Sequence, residues 1–178
     1  MINISSQMDI KAILVQGHTQ SNTLKVVDYV GVNKSNFKKL ITIYLEGPYR
    51  ITQRAAWPLS VCVERHPSLI YPHLTQILNF LKKDNIHVAV KRNTVRLLQY
   101  IEIPKRLHSK VTNICLNFLL DRKEAIAVRV FSMTVLNNLS RIYPDLKNEL
   151  KLIIEDELPY ASAGFLSRAK HVLKEMNK

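Results

Sequence analysis

The sequence contains few of the residues that turn or cross-link a chain, with four glycines and two cysteines among 178 residues. None of the glycines follows Asn or Asp, so the dipeptides that favour tight β-hairpins are missing. Cys62 and Cys115 lie in separate helical stripes, a placement that favours buried, reduced thiols over a disulfide. These features argue against an antiparallel sheet and against a disulfide-stapled domain.

Motifs that carry chemistry are also missing. The sequence has no phosphate-binding glycine loop, no His-Glu-x-x-His, no Cys-x-x-Cys and no Gly-x-Ser-x-Gly. Its six histidines are scattered, and no two of them are four residues apart. Because zinc and iron need ligands grouped at short spacings, we expect neither a metal site nor a cofactor.

Long apolar runs are absent as well. No run approaches the roughly 18 residues that a membrane span requires. The start of the chain, Met1-Ile2-Asn3-Ile4, lacks the basic region and the long apolar stretch of a signal peptide. We therefore expect a cytoplasmic protein that has no membrane partner.

The sequence does contain a repeat, in which an acidic residue is followed eight positions later by an arginine. The acids of successive pairs are 38 and 37 residues apart. Self-similarity at a period of about 20 to 50 residues indicates one supersecondary unit stacked on copies of itself. The three pairs are Glu46 and Arg54, Asp84 and Arg92, and Asp121 and Arg129.

Prolines mark the joints between these units, because proline disfavours helix in the residue before it. Pro58 falls inside the second helix of the first unit and is expected to bend it, since its ring clashes with the carbonyl of Arg54. A fourth unit is weaker: Arg168 follows Arg129 by 39 residues, but Tyr160 stands where the acid would be. The prolines that close the second helices are Pro67, Pro104 and Pro144.

This pattern resembles the HEAT and armadillo group of α-solenoids, in which a turn aspartate and a second-helix arginine recur from unit to unit. The resemblance covers roughly residues 33–176 and is most specific over residues 84–98 and 121–136. It implies an all-α fold, a right-handed α–α superhelix of about four HEAT-like two-helix repeats. The period here is slightly shorter than the roughly 40 to 47 residues usual for that group.

Residues 1–31 do not carry the repeat and are expected to form N-terminal capping helices, which shield the open end of a solenoid. The cap and the repeat array over residues 32–178 are expected to make one continuous domain. Gly17, Gly31 and Gly47 each follow an apolar stretch. Glycine is favoured in the left-handed conformation that often ends a helix, so these three glycines are predicted to mark helix ends.

The chain is strongly basic, with 26 Lys and Arg against 14 Asp and Glu and a net charge of +12. Such a surplus creates a positive field that attracts polyanions. The resemblance implies that second helices line the concave face of the array, and that basic residues of these helices converge there. The residues concerned are Arg54, Arg92, Arg96, Arg129 and Arg141.

Two roles are predicted for individual residues. In the first, the repeated arginines bridge turn carboxylates in a structural ladder made of Glu46, Arg54, Asp84, Arg92, Asp121 and Arg129. In the second, a partner-binding surface is made of Lys91, Arg96, Tyr100, Asn137 and Arg141. If Asn93 and Asn137 both face inward, they add a polar groove to that surface.

The function expected from these features is that of a non-enzymatic binding module or scaffold that presents a basic concave surface to a macromolecular partner. That partner is either an acidic protein or peptide, or a nucleic acid held through its phosphate backbone.

A third alternative is an enzyme, because a bacterial group of DNA alkylation glycosylases is similar to this chain in HEAT-like architecture and in charge. Their chemistry requires a carboxylate and aromatic rings on the concave face. Trp57 and Glu64 are about two helical turns apart on one side of a helix, so an inward-facing carboxylate beside Trp57 would favour this alternative.

Overall fold

The computed structural model describes residues 8–177. Over that range the chain forms ten α-helices and three short 3-10 helices, and it contains no strand. The predicted all-helical repeat fold is thereby confirmed, while its handedness and the number of repeats stay predictions. Residues 1–7 of the predicted cap lie outside the described range. They include Met1 to Ile4, the segment expected to lack the features of a signal peptide.

The described helices fall into two compact units, whose boundary lies between Asn93 and Thr94. Six α-helices begin in the N-terminal unit, and the sixth continues past the boundary. They are α1 (Ile10–Gln16), α2 (Gln20–Val30), α3 (Lys34–Glu46), α4 (Tyr49–Arg65), α5 (Leu74–Phe80) and α6 (Val88–Leu98), with a 3-10 helix at Pro67–Ile70.

The first three helices begin at side chains that accept hydrogen bonds from the exposed backbone amides of the first turn. An oxygen of Asp9 accepts from the amide of Ala12, and Thr19 caps α2 in the same way. Asn33 accepts from the amides of both Ser35 and Asn36 at the start of α3. Short polar residues therefore set where these helices start.

Glycines end the same three helices, as predicted, but for two different reasons. Gly17 and Gly31 have φ angles of 153° and 46°, which side chains rarely adopt. Gly47 has an ordinary φ of −68°, so the left-handed conformation expected there is not observed. What requires glycine at this position is space, because a Cβ on Gly47 would collide with the carbonyl oxygen of Ile43.

Helix α4 is the centre of the N-terminal unit, since it packs against α1, α2 and α3. Its residues Ala55 and Leu59 are fully buried with Val26 of α2 and Tyr44 of α3. Pro58 lies within this 17-residue helix, which continues on both sides of it. The proline therefore interrupts no helix, and it is itself buried.

The C-terminal unit is built around α8, which packs against α7, α9 and α10. Because α8 has neighbours on several sides, apolar and small residues cover most of its surface, and Val128, Met133 and Leu136 are fully buried. The helices are α7 (His108–Leu120), α8 (Ile126–Ser140), α9 (Pro144–Glu157) and α10 (Ala163–Met176), with 3-10 helices at Lys105–Leu107 and Leu158–Tyr160.

The three joint prolines lie at or next to the starts of the helices that follow each joint. Pro67 begins the 3-10 helix after α4, and Pro104 precedes the one before α7. Pro144 is the first residue of α9, where the amide that proline lacks would have no partner in the helix.

Both cysteines are buried, and neither forms a disulfide. Burial raises the pKa of Cys62 and of Cys115 to about 12, so neither is a thiolate at neutral pH. Among the helices that the structure describes, none is long and apolar enough to cross a membrane.

Replacing Gly47 with Ala is expected to destabilise the protein by about 1–3 kcal/mol, because the new methyl group must displace the backbone of α3. Gly164→Ala is the matched control, since a Cβ there would meet only the side chain of Ile126 at 3.5 Å. Alanine also favours a helix over glycine, so the control should be neutral or slightly stabilising. Chemical denaturation of both variants measures the difference; equal stabilities would contradict the steric account.

Candidate functional site

One of the two repeated arginines of the N-terminal unit, Arg54, reaches from α4 to the end of α1. Its Nη1 atom donates hydrogen bonds to the carbonyl oxygens of Leu14 and Val15, each at 2.8 Å. The last four carbonyls of a helix have no partner within the helix, and the positive guanidinium also complements the helix dipole there. Arg54 thus fastens the central helix of this unit to α1.

Arg129 has a similar position in the C-terminal unit, on α8, and only 6% of it is exposed. Its Nε donates to the carbonyl oxygen of Leu119 at 2.9 Å, in the last turn of α7. Its Nη2 donates to Oε2 of Glu157 on α9 at 2.6 Å, and its guanidinium lies 4.8 Å from the ring centre of Phe165 on α10. One side chain therefore contacts all three helices that pack against α8.

Glu157 is the acid that neutralises this buried arginine, and it is also 6% exposed. Burial alone would raise the pKa of its carboxyl, but hydrogen bonds from Arg129 and Arg122 hold that pKa below its ordinary value. Arg122 donates through Nε to Oε1 at 2.7 Å and lies over the ring of Tyr160. The carboxylate is therefore charged at neutral pH, with both oxygens occupied.

The turn acids of the predicted ladder are Glu46, Asp84 and Asp121, and all three are exposed. An oxygen of Asp121 accepts a hydrogen bond from the amide of Lys123 at 2.9 Å and so caps the turn after α7. The hydrogen bonds of Arg54 and Arg129 end on helix carbonyls and on Glu157. The bridging of turn carboxylates by these arginines, and by the half-buried Arg92, stays a prediction.

The two asparagines of the predicted polar groove are buried, with 3% of Asn93 and 4% of Asn137 exposed. Asn93 donates to the carbonyl oxygen of Ala89 in the preceding turn of α6 at 2.8 Å. Asn137 donates to Oε2 of Glu175 at 2.6 Å. Both amides are engaged inside the protein, so we do not assign them to a partner-binding surface.

Glu175 on α10 brings together two of the predicted binding residues, Asn137 and Arg141. The Nη2 atom of Arg141 lies 3.5 Å from Oε2 of Glu175, and His171 lies 3.0 Å from its other oxygen. Burial alone would raise the pKa of this carboxyl, but its interactions with Asn137, His171 and Arg141 outweigh burial and hold the pKa below its ordinary value. Part of the charge of Arg141 is therefore balanced within the protein.

Lys91, Arg96 and Tyr100 complete the predicted binding residues. Lys91 and Arg96 are half-buried on α6. The guanidinium of Arg96 lies 5.7 Å from the ring centre of the exposed Tyr100. A cation beside an aromatic face can hold an anionic partner or a flat ring, so this pair stays a candidate contact.

Trp57 contacts an aromatic partner that the sequence did not suggest. The rings of Trp57 and His18 have their centres 5.2 Å apart and are tilted by 53°. Burial, and then the charges of Arg92 and Arg54, lower the pKa of His18, so these cations lie near the ring pair. Glu64, the carboxylate considered with Trp57, is exposed on the same helix.

A groove of about 660 Å³ separates the start of α1 from one face of α3, and sequence reasoning missed it. Its described lining carries three lysines and one acid, Asp9, whose Oδ1 already accepts from the amide of Ala12 at 3.2 Å. We name it the lysine groove; it is lined by Met8, Asp9, Ile10, Lys11, Ser35, Lys38, Lys39, Thr42 and Ile43.

The sequence does hold a signal for this groove. Ser35, Lys38, Lys39, Thr42 and Ile43 follow one another at helical spacing, so they share one face of α3. The opposite face of α3 carries the buried residues of the core. A polar stripe of this kind usually faces solvent, and only the placement of α1 turns it into one wall of a groove.

No group of histidine, cysteine or acidic side chains within residues 8–177 is arranged to hold a metal ion.

Comparison with known proteins identifies a family. A family model described as a HEAT repeat domain matches residues 10–176. The match includes α1 and α2, the helices expected to form the cap. No curated protein and no solved structure matches the chain.

Arg129→Ala is expected to destabilise the C-terminal unit by about 3–5 kcal/mol, because it leaves the buried carboxylate of Glu157 without its buried partner. Arg122→Ala is the matched control, since Arg122 pairs with the same carboxylate from an exposed position and should cost much less. Denaturant unfolding followed by circular dichroism compares the two variants. Equal losses of stability in the two variants would mean that the burial of Arg129 does not increase its contribution to the free energy of unfolding.

Proposed function

Because the chain belongs to the HEAT repeat family, we propose that it is a non-enzymatic binding module or scaffold that presents a basic surface to a macromolecular partner. Stacked helical repeats suit this role physically, since neighbouring units create a binding surface without a catalytic pocket. The main support for a basic surface is the excess of exposed lysines over acids in the N-terminal unit.

Residues 1–93 contain twelve Lys and Arg but only five Asp and Glu. Asp28 is paired with Arg65 at 2.9 Å, and Asp9 caps α1. Six of the eight lysines are exposed: Lys11, Lys25, Lys34, Lys38, Lys82 and Lys83. A surface with this balance attracts acidic macromolecules and speeds their association.

The contacts that arginines make with other groups of the protein also support the proposal. Several arginines contact a carboxylate, a carbonyl oxygen or an aromatic ring of the protein itself, among them Arg54, Arg65, Arg96, Arg122, Arg129 and Arg141. Arginine suits such fixed contacts because its planar group presents several donors in a rigid fork. The exposed lysines are thus the cations best placed to meet a partner, with Lys91, Arg96, Tyr100 and Arg141 as the contacts predicted from sequence.

An acidic protein or peptide is the partner class we favour, because apolar side chains lie next to lysines on the surface. Ile43 and Met8 line the lysine groove beside Lys38 and Lys39. A partner that offers both carboxylates and apolar groups gains from both kinds of contact. We place this activity in the cytoplasm, with residues 1–31 as a cap continuous with the repeat array.

Nucleic acid is the alternative partner, and one observation favours it. The ring pair of Trp57 and His18 lies near the charges of Arg54 and Arg92. Aromatic rings combined with cations are the usual means of holding an unpaired base and its phosphates. A glycosylase-like activity would in addition need a carboxylate beside Trp57.

Titration of fluorescent acidic peptides, and of single- and double-stranded DNA and RNA, tests the proposal by anisotropy over a series of salt concentrations. We expect binding that persists near physiological ionic strength and weakens as salt rises, because charge contacts are screened. Binding seen only at low salt would contradict a binding function for the surplus charge. Release of a base from alkylated duplex DNA would contradict the non-enzymatic assignment.

A further inference from the structure

The lysine groove between α1 and α3 combines charge, hydroxyl groups and an apolar wall in one concave place. We propose that it is a docking site for an acidic peptide segment whose carboxylates alternate with apolar side chains. This inference rests on the proposed binding function and names a site and a partner for it.

The charges of the groove come from two helices. Lys11 lies on α1, while Lys38 and Lys39 lie on the facing side of α3. The acid of the lining, Asp9, already uses one oxygen to cap α1. Three ammonium groups against one engaged carboxylate leave a net positive site, which attracts carboxylates and repels basic segments.

The wall between these charges is partly apolar. Ile43 and Met8 are half-exposed within the groove, and Ile10 is a buried residue of its lining. The hydroxyls of Ser35 and Thr42 can bond the backbone of a peptide laid between them. The volume of about 660 Å³ lies within the range of roughly 300–1,000 Å³ seen for ligand pockets, so a short segment fits better than a whole domain.

The same lining disfavours nucleic acid at this place. None of its described residues is aromatic, so no ring is available for an unpaired base to stack on. The described lining also contains no arginine, the residue whose planar fork matches two phosphate oxygens at once. Lysine charges beside apolar side chains are complementary to an acidic, partly apolar peptide.

The experiment compares two fluorescein-labelled peptides on the full chain, one with glutamates interleaved with leucines and one with serine in place of each leucine. We expect the leucine peptide to bind about tenfold tighter, because it buries apolar groups against Met8 and Ile43. The double variant Lys38→Glu and Lys39→Glu should weaken the leucine peptide by at least about tenfold, because attraction becomes repulsion.

The matched control is the double variant Lys25→Glu and Lys82→Glu, which changes net charge equally at two exposed lysines outside the groove lining. It should change affinity by less than about twofold, since screened charges at a distance contribute little. Thermal melts confirm that both double variants are folded. Equal weakening in both would overturn the groove as the site, while the general binding function would survive.

Three further results would overturn the inference. Equal affinity of the two peptides would show that the apolar side chains of the groove do not contribute to peptide recognition. Tighter binding of single-stranded DNA than of the leucine peptide, lost in the same groove variant, would make the groove a phosphate site. Peptide binding that appears only in a variant starting at Met8 would show that residues 1–7 occupy the groove. Failure of every acidic ligand to bind would instead refute the proposed function itself.

Discussion

In each unit, an arginine on the central helix donates hydrogen bonds to carbonyl oxygens at the end of a neighbouring helix. Arg54 joins α4 to α1, and Arg129 joins α8 to α7. The carbonyls need a donor because a helix leaves its last four without an internal partner. In the C-terminal unit the arginine is buried, so it also needs Glu157 on α9 to balance its charge. One guanidinium in each unit therefore adds polar contacts between helices to the apolar packing of the core.

The repeat in the sequence predicts these arginines as recurring positions, because the length of a two-helix unit fixes their spacing. Several helix ends were readable from the sequence, since glycines and prolines act through local geometry. The partner of Arg129 was not readable: Glu157 lies 28 residues further along the chain, and no local pattern joins the two. The lysine groove was missed for the same reason, because a polar face of α3 does not reveal where α1 will lie.

Arginine and lysine have separate roles in this account. Arg54 and Arg129 make contacts between helices within their units, where a planar group with several donors satisfies helix carbonyls and, for Arg129, a carboxylate as well. Exposed lysines carry the surplus charge outward on flexible stems, which suits screened, adjustable contacts with a partner. The net charge of the chain is therefore a poor guide to its binding surface until the internally engaged arginines are set aside.

Lysine acetylation followed by mass spectrometry tests this division most directly, because it reports every exposed ammonium group at once. The rates are measured with and without an acidic peptide whose carboxylates alternate with apolar residues. We expect the peptide to protect Lys11, Lys38 and Lys39 from acetylation, while Lys25 and Lys82 react at unchanged rates. Protection spread evenly over all exposed lysines, or none at all, would contradict this expectation.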